Sequence, residues 1–524
     1  MRIEGIPASP GYAEGPLFDL DRPRARYKAK AGAAEEKAAL EGAIGKAIGR
    51  LAALVEAADG DVAGILEFHI AMLEDDALSG PAFASIGSGQ PADVAWRAAL
   101  DSEIAGYEAS DQDYFRARAA DLRDIRDQVL RALSEDSEVA APPGAILYGE
   151  DIAPTRFLET DWSEGGGIAL RAGSTASHVA MLARSRGVPM VVGLGIPDGP
   201  RTGVALLDAE RGGITFSPSP AEIEAFRQSA SLFADRQGAA QTFLTEPAMT
   251  KAGTAVRVQV NIAYPSDVDG IDVATCDGIG LMRTEFLFGK TLPDEETQYR
   301  AYRRVLEWAG DKPVTIRTVD AGGDKPVPGF TVEETNPFLG LRGIRLSLAR
   351  RDIFRVQIRA LLRAAIHGNL KVMFPMIATP DEYSQAAALF AQEQAALAAL
   401  GVAQKLPPLG IMVEVPSVAL APEAFADAAF FSIGSNDLTQ YVMAAARDNA
   451  AVAHLNAVRH PAVLRLIAAV AAFGREKGIP VSLCGDAGGD PAAIPALLEA
   501  GLRDLSVAPA QLAMAKAAIA DVAV

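Results

Sequence analysis

The sequence predicts a multidomain α/β protein that ends in a (β/α)8 barrel. Its 524 residues exceed the size at which one hydrophobic core stops growing, so several domains are expected. Beyond Thr254 a short β-rich run, a Gly/Asp/Pro loop and a helical stretch alternate eight times, which is typical of such a barrel. Between residues 34 and 133, by contrast, helical spacing dominates and Gly and Pro are few.

The other elements follow from local patterns in chain order. An extended segment precedes the helical block, and from "APPGAILYGED" to "GGITFSPSP" short β-like runs broken by Gly and Pro predict an α/β region. The stretch "PAEIEAFRQSASLFADRQGAAQTFL" predicts a long amphipathic helix that connects two halves. The barrel strands are predicted in "VRVQVNI", "GIGLMRT", "VTIRTVD", "KVMFPMI", "LGIMVEV", "FFSIGSND", "PVSLCGD" and "DLSVAP".

Composition and charge exclude several classes of protein. The hydrophobic fraction of 49% and the charged fraction of 22% are those of an ordinary globular chain. The formal net charge of −18 argues against a nucleic-acid binder, because phosphate backbones are held by clustered Lys and Arg. The N-terminal stretch lacks the apolar core of a signal peptide, and no apolar run is long enough to cross a bilayer. We therefore predict a cytoplasmic protein that binds neither nucleic acid nor membrane.

Polar side chains stand at the ends of the predicted strands, where the loops of a barrel converge on one mouth. They are Arg283, Glu285, Arg317, Asp320, Glu414, Asn436, Asp437, Cys484 and Asp486. Arginines offer forked donors for a phosphate or a carboxylate. Glu414 and Asp437 offer the hard oxygen ligands that a divalent cation such as Mg²⁺ takes.

These residues also have structural interpretations. Glu414 lies among apolar residues in "GIMVEVP", so it needs either a cation or a salt bridge to offset its desolvation. Asp437 at the same mouth favours the cation. Cys484 is either a small buried hydrophobic residue or a group that transfers a proton, and its place at a strand end is the one argument for the second role.

The arginines have two interpretations as well. Each would ordinarily be half of a surface ion pair. Arg283, Arg317, Arg342 and Arg447, however, fall on strand ends or following loops, beside Gly-rich turns such as "DAGGDKP" and "GLRGIR". Backbone amides in such turns cradle anions, which favours a phosphate site.

The stretch "AGSTASHVAMLAR" places a histidine between small residues and an apolar, helix-forming run. Ser177 is a candidate cap for a helix whose first turn holds His178. Free amides in that turn favour an anion and a neutral imidazole, which is nucleophilic. We predict that His178 carries a phosphoryl group, with a capped core histidine as the structural alternative. His69, in "LEFHIAML", is predicted to lie on a helix surface or to face a partner.

Several longer stretches resemble one known family. "GIPASPGYAEG", "FHIAMLEDDAL", "SHVAMLAR", "GLMRTEFLF", "RTVDAGGDK", "NPFLGLRGIRL", "FFSIGSNDLTQY" and "LCGDAGGD" are similar to segments of enzyme I of the phosphoenolpyruvate-dependent sugar phosphotransferase system. The likeness runs over nearly the whole chain. It implies a swivelling phosphohistidine α/β domain over residues 1–30 and 142–220 and an inserted helical carrier-binding subdomain over 31–141. A linker helix over 221–250 and a phosphoenolpyruvate-binding TIM barrel over 251–524 would follow.

By matching position, the resemblance implies a role for each candidate residue. His178 would accept the phosphoryl group, Glu414 and Asp437 would hold Mg²⁺, and Cys484 would protonate the enolate left behind. Phosphoenolpyruvate would be bound by Arg283, Arg317, Arg342, Asn436 and Arg447. The phosphohistidine would then pass its group to a histidine phosphocarrier protein, and the family is typically a homodimer through the barrel.

Three alternatives stay open. The loop before His178 looks like that of the nitrogen-related branch of the family, so the carrier belongs either to that branch or to sugar transport. Relatives such as pyruvate phosphate dikinase share the barrel and the histidine domain but also use a nucleotide, and no P-loop pattern is present. A non-catalytic protein that binds a phosphocarrier through the helical block is the third alternative.

Overall fold

The chain folds into two compact units in a computed structural model, Met1–Phe233 and Ala234–Val524. The structure describes residues 2–21, 27–57, 60–108, 113–134, 140–173, 178–195, 201–288, 292–323, 327, 329–332, 334–446 and 452–524. Within these ranges, no helix is both long enough and apolar enough to cross a membrane.

The first unit contains an eight-stranded mixed sheet. Its strands are β1 (Arg2–Glu4), β2 (Ile6–Ser9), β3 (Tyr12–Asp19), β4 (Ile146–Gly149), β5 (Gly167–Leu170), β6 (Met190–Val192), β7 (Val204–Asp208) and β8 (Gly213–Phe216). Strands β3, β4, β5 and β6 are parallel neighbours, and β2, β7, β8 and β1 pair antiparallel at the two sides. Strands β4, β5 and β6 are fully buried runs, as expected for strands covered on both faces.

Five helices are inserted between β3 and β4 and form a core of their own. They are α1 (Ala33–Ala57), α2 (Gly60–Leu73), α3 (Asp76–Gly87), α4 (Ala92–Glu108) and α5 (Asp113–Ser134). Buried residues at helical spacing, such as Trp96 and Leu100 of α4 and Ile125 and Val129 of α5, pack in this core. The predicted helical block is thus observed.

Three further helices lie in the described residues that follow β4, and the last of them continues into the second unit. They are α6 (Pro154–Glu159), α7 (His178–Arg186) and α8 (Pro220–Gln241), the last being the long helix that the sequence predicts. Val179 and Ala180 of α7 pack in the core beside the sheet, so the helix that begins at His178 is anchored by its apolar residues. The finer domain boundaries given above stay predictions.

The second unit is a closed barrel of eight parallel strands, which confirms the predicted fold. The strands are β9 (Arg257–Ile262), β10 (Ile279–Met282), β11 (Pro313–Arg317), β12 (Asn369–Phe374), β13 (Leu409–Val413), β14 (Phe431–Ile433), β15 (Val481–Leu483) and β16 (Asp504–Val507). The helices are α9 (Glu295–Ala309), α10 (Ile344–Ala349), α11 (Arg351–Ala364), α12 (Pro380–Ala399), α13 (Pro416–Leu420), α14 (Ser435–Met443), α15 (Pro461–Lys477), α16 (Ile494–Glu499) and α17 (Leu512–Asp521).

Each of the eight predicted runs overlaps one barrel strand, although β11 and β12 begin one and two residues earlier than predicted, and the run "FFSIGSND" needs a correction. Its strand ends at Ile433, and Asn436 and Asp437 lie in the first turn of α14 rather than on the strand. An acidic residue in a first helical turn is stabilised by the free backbone amides there. The two side chains still lie at the carboxyl end of the barrel.

The two faces of the strands differ in chemistry. Val314, Ile316, Ile411 and Ile433 pack between the strands and the surrounding helices in the main hydrophobic core. Because side chains alternate along a strand, the intervening residues face the inside of the barrel. Several of these are polar, including Gln259, Thr315, Arg317, Ser432 and Ser506. The interior of the barrel therefore holds polar side chains as well as apolar ones.

Candidate active site

Six charged side chains meet at the carboxyl end of the barrel and are called the mouth cluster here. They are Glu285, Arg317, Asp320, Arg342, Glu414 and Asp437, and all of them are buried. They come from the ends of β10, β11 and β13, the loop before α10 and the start of α14. Four carboxylates and two guanidiniums thus share one buried site. The sequence predicted most of this set from the strand ends, and the structure brings its members together.

Arg317 is held at the end of β11 by two carboxylates. Its Nη2 lies 3.0 Å from Glu285 Oε2, and its Nη1 lies 3.2 Å from Asp320 Oδ2. These charges raise the pKa of the guanidinium against the opposing effect of burial, so it stays ionised. Its Nε is buried and has no hydrogen-bond partner among the described residues. The Nε–H group of Arg317 is therefore available to donate a hydrogen bond to a further acceptor in the mouth cluster.

Arg342 is fully buried and bridges two carboxylates. Its Nε and Nη2 lie 3.0 Å from the two oxygens of Asp320. Its Nη1 and Nη2 each lie 3.2 Å from an oxygen of Asp437, and Nη1 also donates to the hydroxyl of Tyr441. All of its N–H groups have protein acceptors in this arrangement. The geometry favours a role for Arg342 in positioning Asp437, whereas its predicted contact with substrate would require some of these bonds to exchange.

Glu414 lies at the end of β13, and 1% of its surface is exposed. Its Oε1 accepts a hydrogen bond from the backbone N–H of Met376 at 2.6 Å. Burial and the negative charges of Asp437 and Asp320 raise the pKa of Glu414, and the two arginines only partly offset that effect. An ionised Glu414 therefore lacks sufficient positive charge around it.

The carboxylates of Glu414 and Asp437 fit a divalent cation. No group of three or more His, Cys, Asp or Glu side chains suited to a metal occurs in the described part of the chain. Two carboxylates are nevertheless a sufficient protein contribution for Mg²⁺, which keeps waters and substrate oxygens in its other positions. The excess negative charge of the mouth cluster is what such a cation would offset.

Met376 is a residue of this site that sequence reasoning missed. Its φ of 57° lies in the left-handed region, which is uncommon for a residue with a side chain. This conformation accompanies the N–H that Met376 donates to Glu414. Gly343 stands close by with a φ of 59°, and a Cβ there would lie 3.0 Å from the Cβ of Met376. No local pattern in "FPMI" signals this conformation.

Cys484 follows β15 and is buried among Leu281, Met373, Met412 and Phe430 inside the barrel. Burial raises the pKa of its thiol to about 11, so the group is protonated near neutral pH. The positive charges of Arg317 and Arg283 act in the opposite direction. These surroundings are compatible with both interpretations of Cys484, a small buried hydrophobic residue and a proton-transfer group, because burial also keeps the thiol protonated.

Asn436 and Asp486 form a reciprocal pair at the mouth. The amide of Asn436 donates to Asp486 Oδ2 at 2.9 Å, and the backbone N–H of Asp486 donates to Asn436 Oδ1 at 3.0 Å. Asp437 follows Asn436, and Cys484 precedes Asp486 by two positions. The pair therefore ties the segment that carries a mouth-cluster carboxylate to the segment that carries the thiol.

The remaining predicted residues are placed as follows. Arg283 is partly buried just beyond β10, and its backbone N–H donates to Ile262. His178 is the first residue of α7, as the sequence predicts for the helix, but its side chain and Ser177 lie outside the described residues. Arg447 also lies outside them. The predictions for the side chains of Ser177, His178 and Arg447 are therefore not tested by the geometry.

The prediction that His69 lies on a helix surface is wrong. None of its surface is exposed, and its Nε2 lies 3.2 Å from Asp121 Oδ1. Leu66, His69 and Leu73 are all buried at three- and four-residue spacing on α2. That spacing was visible in the sequence and places the imidazole on the inward face of the helix.

Gln357 is a second residue that sequence reasoning missed. This buried side chain of α11 donates to Thr284 Oγ1 at 3.2 Å and to the hydroxyl of Tyr302 at 3.1 Å. Its oxygen accepts the backbone N–H of Val319 at 3.0 Å. The amide thus connects the ends of β10 and β11, which carry Arg283 and Arg317. No pattern in the sequence marks it out from other helical glutamines.

A closed barrel with buried arginines and carboxylates at its carboxyl end, joined to a second α/β unit, is the arrangement of an enzyme for an anionic substrate. Family models for PEP-utilising enzymes match three parts of the chain. These are the N-terminal domain over residues 4–118, the mobile domain over 141–212 and the PEP-binding domain over 237–524. The chain belongs to the PEP-utilising enzymes and, within them, to the phosphoenolpyruvate-protein phosphotransferase family of transferases.

Two relatives agree in sequence with this assignment over nearly their full length. The phosphoenolpyruvate-protein phosphotransferase of Geobacillus stearothermophilus is 38% identical over 543 residues, which cover 99% of this chain and 93% of that protein. The protein of the same name from Bacillus subtilis strain 168 is 35% identical over 536 residues, with 99% and 94% covered. An NMR structure of an Enzyme I protein matches 44% of this chain and 99% of its own at 22% identity, with a TM-score of 0.36.

Proposed function

We propose that the protein transfers the phosphoryl group of phosphoenolpyruvate to its own His178 and then to a histidine phosphocarrier protein, with release of pyruvate. The observation that carries the proposal is the mouth cluster, in which two buried arginines and four carboxylates meet at the catalytic end of a barrel. Relatives that bear the name phosphoenolpyruvate-protein phosphotransferase support it.

Substrate binding is assigned to Arg283, Arg317, Asn436 and Arg447. Phosphoenolpyruvate carries a phosphate and a carboxylate, and guanidinium groups bind both through paired hydrogen bonds. The unpartnered Nε of Arg317 supports a contact between this residue and a substrate oxygen. Arg342 acts through Asp437, whose two oxygens it holds at 3.2 Å.

Glu414 and Asp437 would hold Mg²⁺. The ion, when bound, supplies positive charge that offsets the negative charge of the phosphoryl group during transfer. The protein's own residues orient that site: Arg342 fixes Asp437, and the N–H of Met376 fixes Glu414.

Cys484 would protonate the methylene carbon of the enolate that remains when the phosphoryl group leaves. The thiol suits this role because burial keeps it protonated at neutral pH. Its neighbours Leu281, Met373 and Met412 are apolar and disfavour the charged thiolate.

His178 would be the nucleophile. It is the first residue of α7, where free backbone amides favour a neutral imidazole and then the negative phosphoryl group. His178 belongs to the first unit and the mouth cluster to the second, so the proposed reaction requires His178 to reach the mouth cluster for phosphorylation and to leave it for the carrier. We also propose a cytoplasmic location and a homodimer formed through the barrel.

Incubation of the full chain with ³²P-phosphoenolpyruvate and Mg²⁺, followed by phosphopeptide mapping, tests the proposal. We expect label on the peptide that contains His178 in the absence of any nucleotide, and no label in His178→Ala. His460→Ala serves as a control, because His460 caps α15 outside the mouth cluster. Transfer of the label to a sugar-transport or a nitrogen-related carrier identifies the partner. An unlabelled wild-type chain would overturn the proposal and favour a binding protein, and labelling that needs a nucleotide would favour the dikinase alternative.

A further inference from the structure

Asn261 of β9 lies beside Cys484 inside the barrel. Val258, Val260 and Ile262 of the same strand pack in the core between the strands and the helices. Because side chains alternate along a strand, Asn261 faces the inside of the barrel, next to the last residue of β9. It is half-buried there. Asn261 is thus an interior polar residue at the end of the barrel that carries the mouth cluster.

The amide of Asn261 connects β9 with β16 and with the residue that follows β15. Its Nδ2 donates to the backbone carbonyl of Cys484 at 3.1 Å and to that of Ser506, on β16, at 3.2 Å. The Ser506 hydroxyl donates to Asn261 Oδ1 at 2.6 Å. The nitrogen and the oxygen of the amide are both bonded, and the hydroxyl fixes which way the amide is turned. The side chain therefore reaches across β16 to the segment that carries the thiol.

Cys484 lies just beyond the ladder that joins β15 to β16, in which Leu483 pairs with Leu505. The backbone N–H of Cys484 donates to the carbonyl of Ile433 at 3.0 Å, and its Sγ lies 3.7 Å from the same oxygen. Ile433 thus holds Cys484 from the side of β14, and Asn261 holds its carbonyl from the side of β9. The backbone that carries the thiol is fixed between two strands that are not neighbours in the barrel.

A glycine on a further strand makes room for this arrangement. A Cβ on Gly280 of β10 would lie 2.5 Å from Ser506 Oγ and 2.9 Å from Gln259 Oε1. A side chain at that position would displace the hydroxyl group that orients the amide of Asn261. The contact between Ser506 and Asn261 therefore depends on the close approach that Gly280 allows.

We propose that Asn261, oriented by Ser506, is a positioning residue that holds Cys484 for proton transfer to the substrate carbon. The inference rests on the proposed function, in which Cys484 is the acid. A C–H bond forms at the methylene carbon of the enolate, the S–H bond breaks, and its electron pair stays on the sulfur. A water molecule then returns a proton to the sulfur and leaves as hydroxide. Asn261 gives up no proton, and its hydrogen bond to the Cys484 carbonyl fixes the backbone from which the thiol projects.

The reverse proton transfer can be measured without phosphoryl transfer. Exchange of the methyl protons of pyruvate with D₂O, followed by proton NMR on the full chain with Mg²⁺, reports proton transfer between sulfur and carbon. We expect Asn261→Leu to slow this exchange at saturating pyruvate about tenfold or more, because a displaced thiol loses its alignment with the carbon. The pyruvate concentration for half-maximal exchange should stay within about twofold of wild type, since Asn261 acts through Cys484 and not through the substrate-binding arginines. Cys484→Ala should abolish the exchange.

Two further variants separate positioning from a general effect on the barrel. Ser506→Ala leaves Asn261 in place without its orienting donor, and we expect exchange to slow about threefold. Gln259→Leu is the matched control, because Gln259 is a buried amide on the same face of β9, two residues nearer the amino end. Exchange in that control should stay within about twofold of wild type.

Single-turnover labelling of His178 from ³²P-phosphoenolpyruvate precedes protonation, so it should stay within about twofold of wild type in Asn261→Leu. Equal slowing of labelling and exchange, or unchanged exchange in a folded Asn261→Leu, would overturn the inference. Equal slowing of exchange in Gln259→Leu, or exchange that survives in Cys484→Ala, would overturn it as well. If circular dichroism shows that Asn261→Leu does not fold, unchanged exchange in Ser506→Ala overturns it instead. Failure of the wild-type chain to label His178 is a separate result, which counts against the proposed function.

Discussion

The charged groups at the two ends of the barrel differ in their burial and in their balance of positive and negative charge. At the carboxyl end, the mouth cluster buries four carboxylates with two guanidiniums. At the amino end, Asp504 at the start of β16 pairs with Arg257 at the start of β9, and Lys371 and Asp277 lie within electrostatic reach. The Asp504 carboxylate thus has positive charges near it, and the side chain of its partner Arg257 is 57% exposed.

This difference in charged groups distinguishes a catalytic site at the carboxyl end from a structural ion pair between two strands at the amino end. An ion pair with a partly exposed guanidinium is stabilised by solvent as well as by its partner. A buried cluster with excess negative charge is costly unless something positive completes it. The mouth cluster therefore has the charge distribution of a site that receives a cation, and the amino end does not. The same contrast is expected of this barrel type in general, in which residues at the amino end serve stability.

The largest expected effect is a difference in self-phosphorylation between substitutions at the carboxyl end and a substitution at the amino end of the barrel. Arg317→Ala and Glu414→Ala should lower self-phosphorylation of His178 about a thousandfold or more, because transfer depends on fixed positive charge and on the cation. Arg257→Ala at the amino end should stay within about twofold of wild type. Carrier binding, measured by calorimetry, should survive in all three, since the predicted carrier site lies in the first unit. A comparable loss in Arg257→Ala would break the comparison.

An intermediate effect is expected in thermal stability and its dependence on metal. The pKa of Glu414 is raised in the folded state by burial and by its carboxylate neighbours, so its ionised form is unfavourable at pH 7.5 in the absence of metal. Glu414→Gln keeps an acceptor for the N–H of Met376 and should raise the metal-free melting temperature by about 2 °C or more.

The same experiment tests the cation directly. Mg²⁺ should raise the melting temperature of the wild-type chain and leave that of Glu414→Gln unchanged. Glu393→Gln is the matched control, because Glu393 is also buried but pairs with Arg355 on the outside of the barrel. An equal shift by Mg²⁺ in wild type and Glu414→Gln would remove Glu414 from the metal site.

The smallest effect is expected from Asp504 at the amino end. Burial raises the pKa of this carboxyl group to about 6, above its value in an unfolded chain, and its Oδ1 lacks a hydrogen-bond partner within the described residues. Its contribution to stability is thus fully present below about pH 4 and lost as the pH rises through about 6. The change in the free energy of unfolding is at most about 3 kcal/mol.

Asp504→Asn removes this titration. The free energy of unfolding of the variant minus that of wild type should rise by up to about 3 kcal/mol from pH 4 to pH 7.5. Denaturant unfolding at the two pH values measures this change. Asp521→Asn changes an exposed carboxylate that pairs with Lys251 and should show no such trend. A difference between Asp504→Asn and wild type that does not change with pH would show that Asp504 is ionised normally in the folded protein.

The strands and the long helices could be predicted because their signals are local. Short β-rich runs followed by Gly, Asp or Pro loops identify the barrel strands, and the general rule for barrels then places Arg317, Glu414 and Cys484 at one end. Even His69 was predictable, because its spacing from Leu66 and Leu73 marks the inward face of α2.

The pairing of the charged groups was beyond the reach of such patterns. Arg342 contacts Asp320 and Asp437, which lie 22 and 95 positions away in the chain. The left-handed backbone of Met376 and the link from Gln357 to Thr284 likewise depend on elements that meet only after the barrel closes. Local composition decides which residues reach the carboxyl end of the barrel. Tertiary packing decides which of them share a proton, a cation or a hydrogen bond, because these interactions act over a few ångströms between residues distant in sequence.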